Sequence, residues 1–465
     1  MDFRRPFMNR DLTIEALLGA SFDCGCGKHH STRFSRMIMK SGAIAELPGL
    51  LEELGKKRPH MVCDTHTWEV CGEKTAEILR AASVDLTFSV LESPEVGDLP
   101  ADELSFGKLC MAFPTDCDLV ISVGAGTIND LGRYLSYITG RDFILVLTAP
   151  SMDGAVSGVA PLIQNNLKVT LNAHAPVALV ADLDIMTKAP MKMLSAGVGD
   201  ILGKYNCLTD WKLSNIVNGE YFCPTIEGIM RGAIEKTMKA AEKLPERDPQ
   251  DIRTLTEGLV LSGMAMDFAG NSRPASGAEH HISHYFEMQF LFDGIPAVLH
   301  GTKVGIGTVM MLRLYELLAG MEKPDFAALR KSAAERPSFE AWETEMKRAY
   351  RGGAPVVIDL EKKNGKNSTE GLLKRLDVIE ARWDEIQALA ASAPPSARIR
   401  EVLESLGAPV RPEQVGVCPQ YVEDGILYAK ELRARYTILQ LFWDLDLLKP
   451  AKDILMKEFV TDEPR

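Results

Sequence analysis

Between residues 60 and 150, short apolar runs (HMVCDT, VDLTFSVLES, CDLVISVGAG, RDFILVLTAP) alternate with longer stretches such as TWEVCGEKTAEILRAA, whose apolar positions recur every three to four residues. Strand-sized runs alternating with helical spacing predict a parallel sheet with crossover helices. Between 155 and 185, VSGVAPLI and LKVTLNAHAPVALVADL read as further strands, with QNN as a hairpin turn between them. From about residue 191 the period changes. KMLSAGVGDILGKYNCLTDWKL, EGIMRGAIEKTMKAAEKL and TLTEGLVLSGMAMDFAG all carry helical spacing, and most of the remaining chain continues it. The pattern predicts an α/β domain with a mostly parallel sheet over residues 1–190 and an all-α domain over 191–465, the boundary falling at Ala189 and Pro190. Residues 322–370, rich in turn residues and charge, read as a peripheral excursion with a mobile loop around 364–368. No internal repeat is apparent.

Composition narrows the class. A chain of 465 residues exceeds one ordinary core, and 46% hydrophobic with 25% charged residues describes a globular, ordered protein. A net charge of −12 argues against nucleic acid and anionic membranes, both of which need a basic face. The opening MDFRRPFMNRDLTIEALLGA lacks the uninterrupted apolar core of a secretory signal, and no run of about 18 apolar residues is present. A cytoplasmic protein is expected. Nine scattered cysteines fit thiols better than a disulfide framework. One segment stands apart: CGCGKHH offers Cys24, Cys26, His29 and His30 as soft and borderline metal ligands, although a plain loop bent by Gly25 and Gly27 is the favoured reading, since C-x-C without a distant second pair is a weak signal.

In ISVGAGTINDLGRY an apolar strand runs directly into Gly124, Ala125, Gly126 and Thr127, followed by a helix-competent segment. Glycines let backbone amides approach a pyrophosphate, and the helix start adds unpaired N–H groups and a positive dipole end. The alternative is a simple tight turn. A second strand end, LVLTAPSMDGAVSG, carries Thr148, Ser151, Asp153 and Ser157, and adjacent strand ends form the crevice in which open α/β sheets bind ligands. Asp64, at the end of another run, suits either a ribose hydroxyl or a helix cap.

NSRPASGAEHHISH places three of the nine histidines within five positions, and His300 follows. His280 and His284 share a helix face, whereas His281 points about 100° away. Asp200 in AGVGDILGKY adds an oxygen, with Lys204 one turn on. One carboxylate with two or three imidazoles leaves coordination positions open, as catalytic sites require. Lys204 and Arg273 would repel such a cation unless an anionic substrate lay between them, which a phosphate ester satisfies.

VGAGTINDLGRY, TAPSMDGAVSG, AGVGDILGKYNCLTDW, FAGNSRPASGAEHHISH and LHGTKVGIGTV, in this order, resemble the sn-glycerol-1-phosphate dehydrogenases, in particular their bacterial AraM-like branch. That family lies in the superfamily of iron-containing alcohol dehydrogenases, glycerol dehydrogenase and dehydroquinate synthase. The matching blocks run from about residue 60 to 310, and RARYTILQLFWDLDLL resembles the family's last helix. The resemblance implies a dehydroquinate synthase-like fold, with a nucleotide-binding α/β domain, a variable segment over residues 1–40 and a helical metal-binding domain.

It also implies NAD or NADP held by Gly124, Ala125, Gly126, Thr127 and Ile128, by Thr148, Ala149, Pro150 and Ser151, and by Ser157, with Asp64 a further contact. One divalent metal ion, zinc, nickel or iron, is implied on Asp200, His280 and His300, with His281 excluded by the motif register. Asp153 and His284 match substrate-contacting, proton-relaying positions, Asp200 adjoins the substrate, and Lys204 and Arg273 are expected at its phosphate. The implied reaction interconverts dihydroxyacetone phosphate and sn-glycerol 1-phosphate by hydride transfer in a homodimer. Two alternatives remain at this point. One is a dehydroquinate-synthase-like lyase, whose family places Glu where this chain has Asp200; the other is a non-catalytic nucleotide-binding regulatory protein.

Overall fold

The computed structural model describes residues 13–460 except 96, 165 and 166. The first twelve residues of the opening segment read for a signal and the two asparagines of the QNN turn lie outside the described residues. The chain divides into two compact units, Met1–Ile201 with Pro224–Pro274, and Leu202–Cys223 with Ala275–Arg465. The change of period near residue 190 assigns 224–274 to the helical half, whereas this division groups it with the sheet. The helix Pro249–Ala269 packs against the turn Asp153–Val156, where a Cβ on Gly263 would come 2.6 Å from Val156. A helical period does not reveal which layer a helix covers.

In the first unit the strands are β1 (Ser21–Asp23), β2 (His29–Ser31), β3 (Arg36–Lys40), β4 (Pro59–Asp64), β5 (Thr87–Leu91), β6 (Leu119–Gly124), β7 (Asp142–Leu147), β8 (Val159–Gln164), β9 (Leu167–Asn172) and β10 (Ala178–Asp182). Six of them form one sheet in the order β3-β10-β7-β6-β4-β5, every pairing parallel. Met61, Ile121, Val146 and Val180 join a core that includes Leu47, Leu51 and Leu79, while Val62, Val120, Leu145 and Leu179 are equally buried. Burial of both faces explains why these strands read as continuous apolar runs. The run LKVTLNAHAPVALVADL is in fact two strands. Its first half, β9, pairs antiparallel with β8 as the expected hairpin, and its second half, β10, enters the main sheet.

The order reverses at β4, which leads outward to β5 on one side while β6 lies against its other side. Asp64, Gly124 and Leu147 end their strands on the same carboxyl edge, and Gly124 is in register with Leu147. An open α/β sheet binds ligands outside the carboxyl ends at such a reversal.

The second unit is helical among its described residues. Helices Lys204–Asn218, Ala278–Asp293 and His300–Ala319 are largely buried, and further helices continue to Phe459. Residues 322–370 are mainly helical, and the turn expected to be a mobile loop is pinned. Lys366 Nζ donates to the carbonyls of Lys430 and Arg433, the Asn367 side-chain amide donates to Glu431 at 3.0 Å, and the Asn367 backbone N–H donates to Glu361 at 2.7 Å. Polar sequence here marks buried ion pairing rather than a free loop. No helix among the described residues is long and apolar enough to cross a membrane.

Candidate active site

The carboxyl edge of the sheet supplies the first group of functional atoms. Gly124 closes β6 so tightly that a Cβ on it would lie 2.7 Å from that of Ile128. Ala125 caps the helix Gly126–Thr139 with no side-chain hydrogen bond to its first amides, which leaves them for an anion. Gly126 differs from Gly124, since its added Cβ would meet only Met152 Cγ at 3.9 Å. Space lies over that residue and the amides beside it. Thr127 and Ile128 follow in the first helical turn, and the Thr148 amide donates to the Gly124 carbonyl at 3.2 Å, joining the two strand ends. Thr148, Ala149 and Ser151 are buried in the turn after β7, with Pro150 between them.

Two residues expected at the cofactor have structural tasks. The Asp64 carboxylate caps the next helical turn, accepting from the Thr67 amide at 2.7 Å and the Thr67 hydroxyl at 2.9 Å. This is the cap reading of that residue. Ser157 is 1% exposed, and its hydroxyl accepts from Arg133 at 2.8 Å and faces the Val159 and Gly154 carbonyls. Arg133 also donates to the carbonyls of Gly154, Ala155 and Val159, so one buried guanidinium holds the turn from within. Beside it, burial pushes the Asp130 carboxyl up to about 7, although Arg133 lies 3.5 Å away and works in the opposite direction.

Asp153 and Asp200 are brought together within this unit. The Asp153 amide donates to Asp200 Oδ2 at 2.9 Å, and Ser262 donates to Asp153 Oδ2 at 2.7 Å. Asp200 lies on the helix Met191–Leu202 and is wholly buried. That helix rests on the strand-end turn through Gly197, where any Cβ would overlap the Pro150 carbonyl oxygen. Arg273, 2% exposed, follows Asn271, whose side chain accepts the Arg273 amide at 2.8 Å.

In the helical unit the imidazoles converge. His280 and His284 stand one turn apart on Ala278–Asp293, and His300 opens His300–Ala319. Ring centroids are 5.2 Å apart for His280 and His300, 5.7 Å for His284 and His300, and 6.0 Å for His280 and His284. Ring nitrogens of His280 and His300 come within 4.8 Å of each other. His280 Nδ1 meets the Glu279 carboxylate at 2.6 Å. A carboxylate accepts, so Nδ1 carries the proton and Nε2 presents the lone pair, the orientation a metal-ligating histidine needs. Lys204 is also wholly buried, its Nζ donating to the Ala275 carbonyl at 3.0 Å.

Sequence reasoning missed the parts that hold this arrangement. Gly307 lets the two histidine helices touch, since a Cβ there would lie 2.6 Å from the Glu279 carbonyl. Asp210 anchors the first of them, accepting from the Ala278 amide at 2.7 Å, the Tyr315 hydroxyl at 2.5 Å and the Ile438 amide at 2.7 Å. The carboxyl group directly ahead of His280 in SGAEHH was the available signal for Glu279.

The iron-containing alcohol dehydrogenase family model matches residues 38–190. The chain is 36% identical to a glycerol-1-phosphate dehydrogenase (NAD(P)+) of Halalkalibacterium halodurans, over 90% of this chain and 94% of that one. It is 38% identical to the enzyme of the same name from Bacillus subtilis, over 67% and 78%. Among solved structures it is similar to a probable glycerol dehydrogenase from Sinorhizobium meliloti, with a TM-score of 0.59 at 17% identity over 91% of this chain and 98% of that one, which shows a common fold. With more than a third of positions shared along nearly the whole length of both chains, the protein belongs to the glycerol-1-phosphate dehydrogenase family.

Proposed function

We propose that this chain is an NAD(P)-dependent, metal-requiring dehydrogenase that interconverts dihydroxyacetone phosphate and sn-glycerol 1-phosphate. The observation that carries it is the pair His280 and His300, with Glu279 holding the His280 Nδ1 proton so that Nε2 is the donor. Asp200, His280 and His300 would hold the metal. One carboxylate and two neutral imidazoles are a borderline N/O donor set that suits zinc, nickel or iron. A divalent cation so held supplies positive charge for an oxygen that becomes anionic during the reaction.

The chain's own residues do the rest. The amides from Gly124 to Ile128 receive the dinucleotide's pyrophosphate, and the turn from Thr148 to Ser151 walls the same crevice. Asp64 keeps one oxygen on its cap and turns the other to the ribose. Asp153, held by Ser262 and joined to Asp200 through its amide, orients the substrate hydroxyls. His284, beside His280 and His300, relays the proton that the reaction adds or removes. Lys204 and Arg273 are the phosphate contacts. Ser157 is left out of this set because its hydroxyl is committed to Arg133 and neighbouring carbonyls. A cytoplasmic homodimer completes the reading.

The test is oxidation of NADH and, separately, NADPH by metal-loaded protein with dihydroxyacetone phosphate, followed by chiral analysis of the product. Metal-dependent formation of the sn-1 isomer is expected. No turnover with any divalent metal would overturn the reading.

A further inference from the structure

The CGCGKHH segment plays no part in the proposed reaction, yet its backbone is closed by a turn and a short hairpin. Asp23 and His29 are paired across the hairpin of β1 and β2, and Phe22 is paired with His30. The Cys24 amide donates to the Lys28 carbonyl and the Gly27 amide to the Cys24 carbonyl, both at 3.0 Å, with Gly27 at φ +85°. This tight turn folds Cys26 back over the hairpin. Cys24 Sγ, Cys26 Sγ and a ring nitrogen of His30 lie within 4.8 Å of one another. The alternation along β2 separates the two histidines. His29 is exposed and tied to Ser21 and Asp23, each at 2.9 Å, whereas His30 is 1% exposed.

The second observation is the orientation of that buried ring. His30 Nδ1 meets the Phe268 backbone carbonyl at 2.7 Å. A carbonyl can only accept, so the proton is on Nδ1, and Nε2 directs its lone pair at Cys26 Sγ, 3.3 Å away. An outer hydrogen bond that fixes the tautomer is what supports a metal-ligating histidine. Phe22 and Phe268 flank the ring, with centroids 5.4 and 6.4 Å from it. A fourth donor is close along the chain. Cys24 Sγ donates to Thr225 Oγ1 at 3.2 Å, and Cys223, itself wholly buried, stands two residues before Thr225.

We propose that Cys24, Cys26 and His30, with Cys223, form a structural zinc site distinct from the one proposed for catalysis. Three thiolates and one imidazole make a closed, sulfur-rich tetrahedral set, which selects zinc over the harder divalent ions and leaves no position for substrate. Zinc–sulfur bonds of about 2.3 Å and zinc–nitrogen bonds of about 2.0 Å place tetrahedral donors roughly 3.5 to 3.8 Å apart, close to the 3.3 Å between Cys26 Sγ and His30 Nε2 and inside the 4.8 Å that bounds the cluster. Binding releases the three thiol protons to solvent. A hairpin of two three-residue strands cannot hold itself together, so the ion supplies its fixed point. Through Phe268 it also steadies the end of the helix Pro249–Ala269, just ahead of the loop that carries Arg273.

The test uses the full chain. The protein as purified should contain zinc that an organomercurial thiol reagent releases, detected with a chromogenic chelator, at three thiols titrated per ion. After replacement by cobalt, a thiolate-to-cobalt charge-transfer band should appear in the near ultraviolet. The Asp200, His280 and His300 set cannot produce that band, having no sulfur. It should persist in His280→Ala and lose intensity in Cys26→Ser, and zinc removal should lower Tm. A cobalt-loaded wild-type chain without the band, or a His280→Ala chain from which thiol titration releases no zinc, overturns the proposal without touching the catalytic reading. Loss of metal from His280→Ala with the band intact would bear on the catalytic site alone.

Discussion

The two units meet their chemical tasks in opposite ways. At the carboxyl edge of the sheet the groups on offer are mostly backbone: amides after Gly124, an uncapped helix start and a turn whose carbonyls are held by Arg133. Its polar side chains are largely engaged in holding the chain, as with Asp64 on Thr67 and Ser157 on Arg133. In the helical unit the backbone is ordinary helix, and the groups on offer are three imidazoles, of which His280 is steered by Glu279. A backbone site is sensitive to bulk and indifferent to side-chain chemistry, while an imidazole site is sensitive to a single nitrogen.

That contrast is most exposed by His280→Ala. Turnover should fall by on the order of 10³-fold or more while NADH still binds, measured by steady-state kinetics and by fluorescence titration. An equal loss of cofactor affinity would break the separation between the two halves. Next comes bulk without chemistry: Gly197→Ala drives a methyl group into the Pro150 carbonyl and should cost about 1–3 kcal/mol or more, read as a lowered Tm. Glu279→Gln keeps the shape but weakens the acceptor on His280 Nδ1, and metal affinity in a competition titration should drop roughly 10- to 100-fold. Gly126→Ala is the subtler test of the sheet half, because the protein itself leaves room for the methyl group. Tm should hold while cofactor affinity falls, and an unchanged affinity would move the pyrophosphate elsewhere.

His60 supplies the inverse case, a histidine used for structure in the sheet unit, whose effect is small within any one pH unit. It is 2% exposed, bonded to Thr87 and Ser89 at 2.9 and 3.0 Å, and burial pushes its pKa down to about 4. The unfolded chain, with an ordinary imidazole near 6.5, therefore takes up this proton first as the pH falls. Stability from this group is complete above about pH 6.5, declines between 6.5 and 4, and levels off below, at no more than about 1.4 kcal/mol per pH unit. His60→Asn should flatten that stretch of the Tm against pH curve; an unaltered slope would assign the decline to other groups.

What could be read in advance follows the range of each interaction. The strand ends at Gly124 and Thr148 and the pairing of His280 with His284 are local patterns, visible within a dozen residues. Gly197 and Gly307 are not, because what makes each a glycine is a carbonyl at Pro150 or Glu279, distant along the chain. Choosing His30 over His29 needed the direction of a three-residue strand, too short for any period to show. Cys223 was invisible beside CGCGKHH because nearly two hundred residues separate them. The turn at 364–368 misled for a related reason: the charge of Lys366 and the amide of Asn367 are held by partners more than sixty positions away.

The bare seat of Gly197 on the Pro150 carbonyl has a mechanical meaning. No side chain is interposed there that could change rotamer and act as a cushion. One turn further along the same helix, Asp200 grips the Asp153 amide, so the helix and the strand-end turn are clamped at two points. They can travel only as one rigid lever. The Asp200 carboxylate is thereby set against the strand-end turn that follows Thr148 by contacts made within this unit alone.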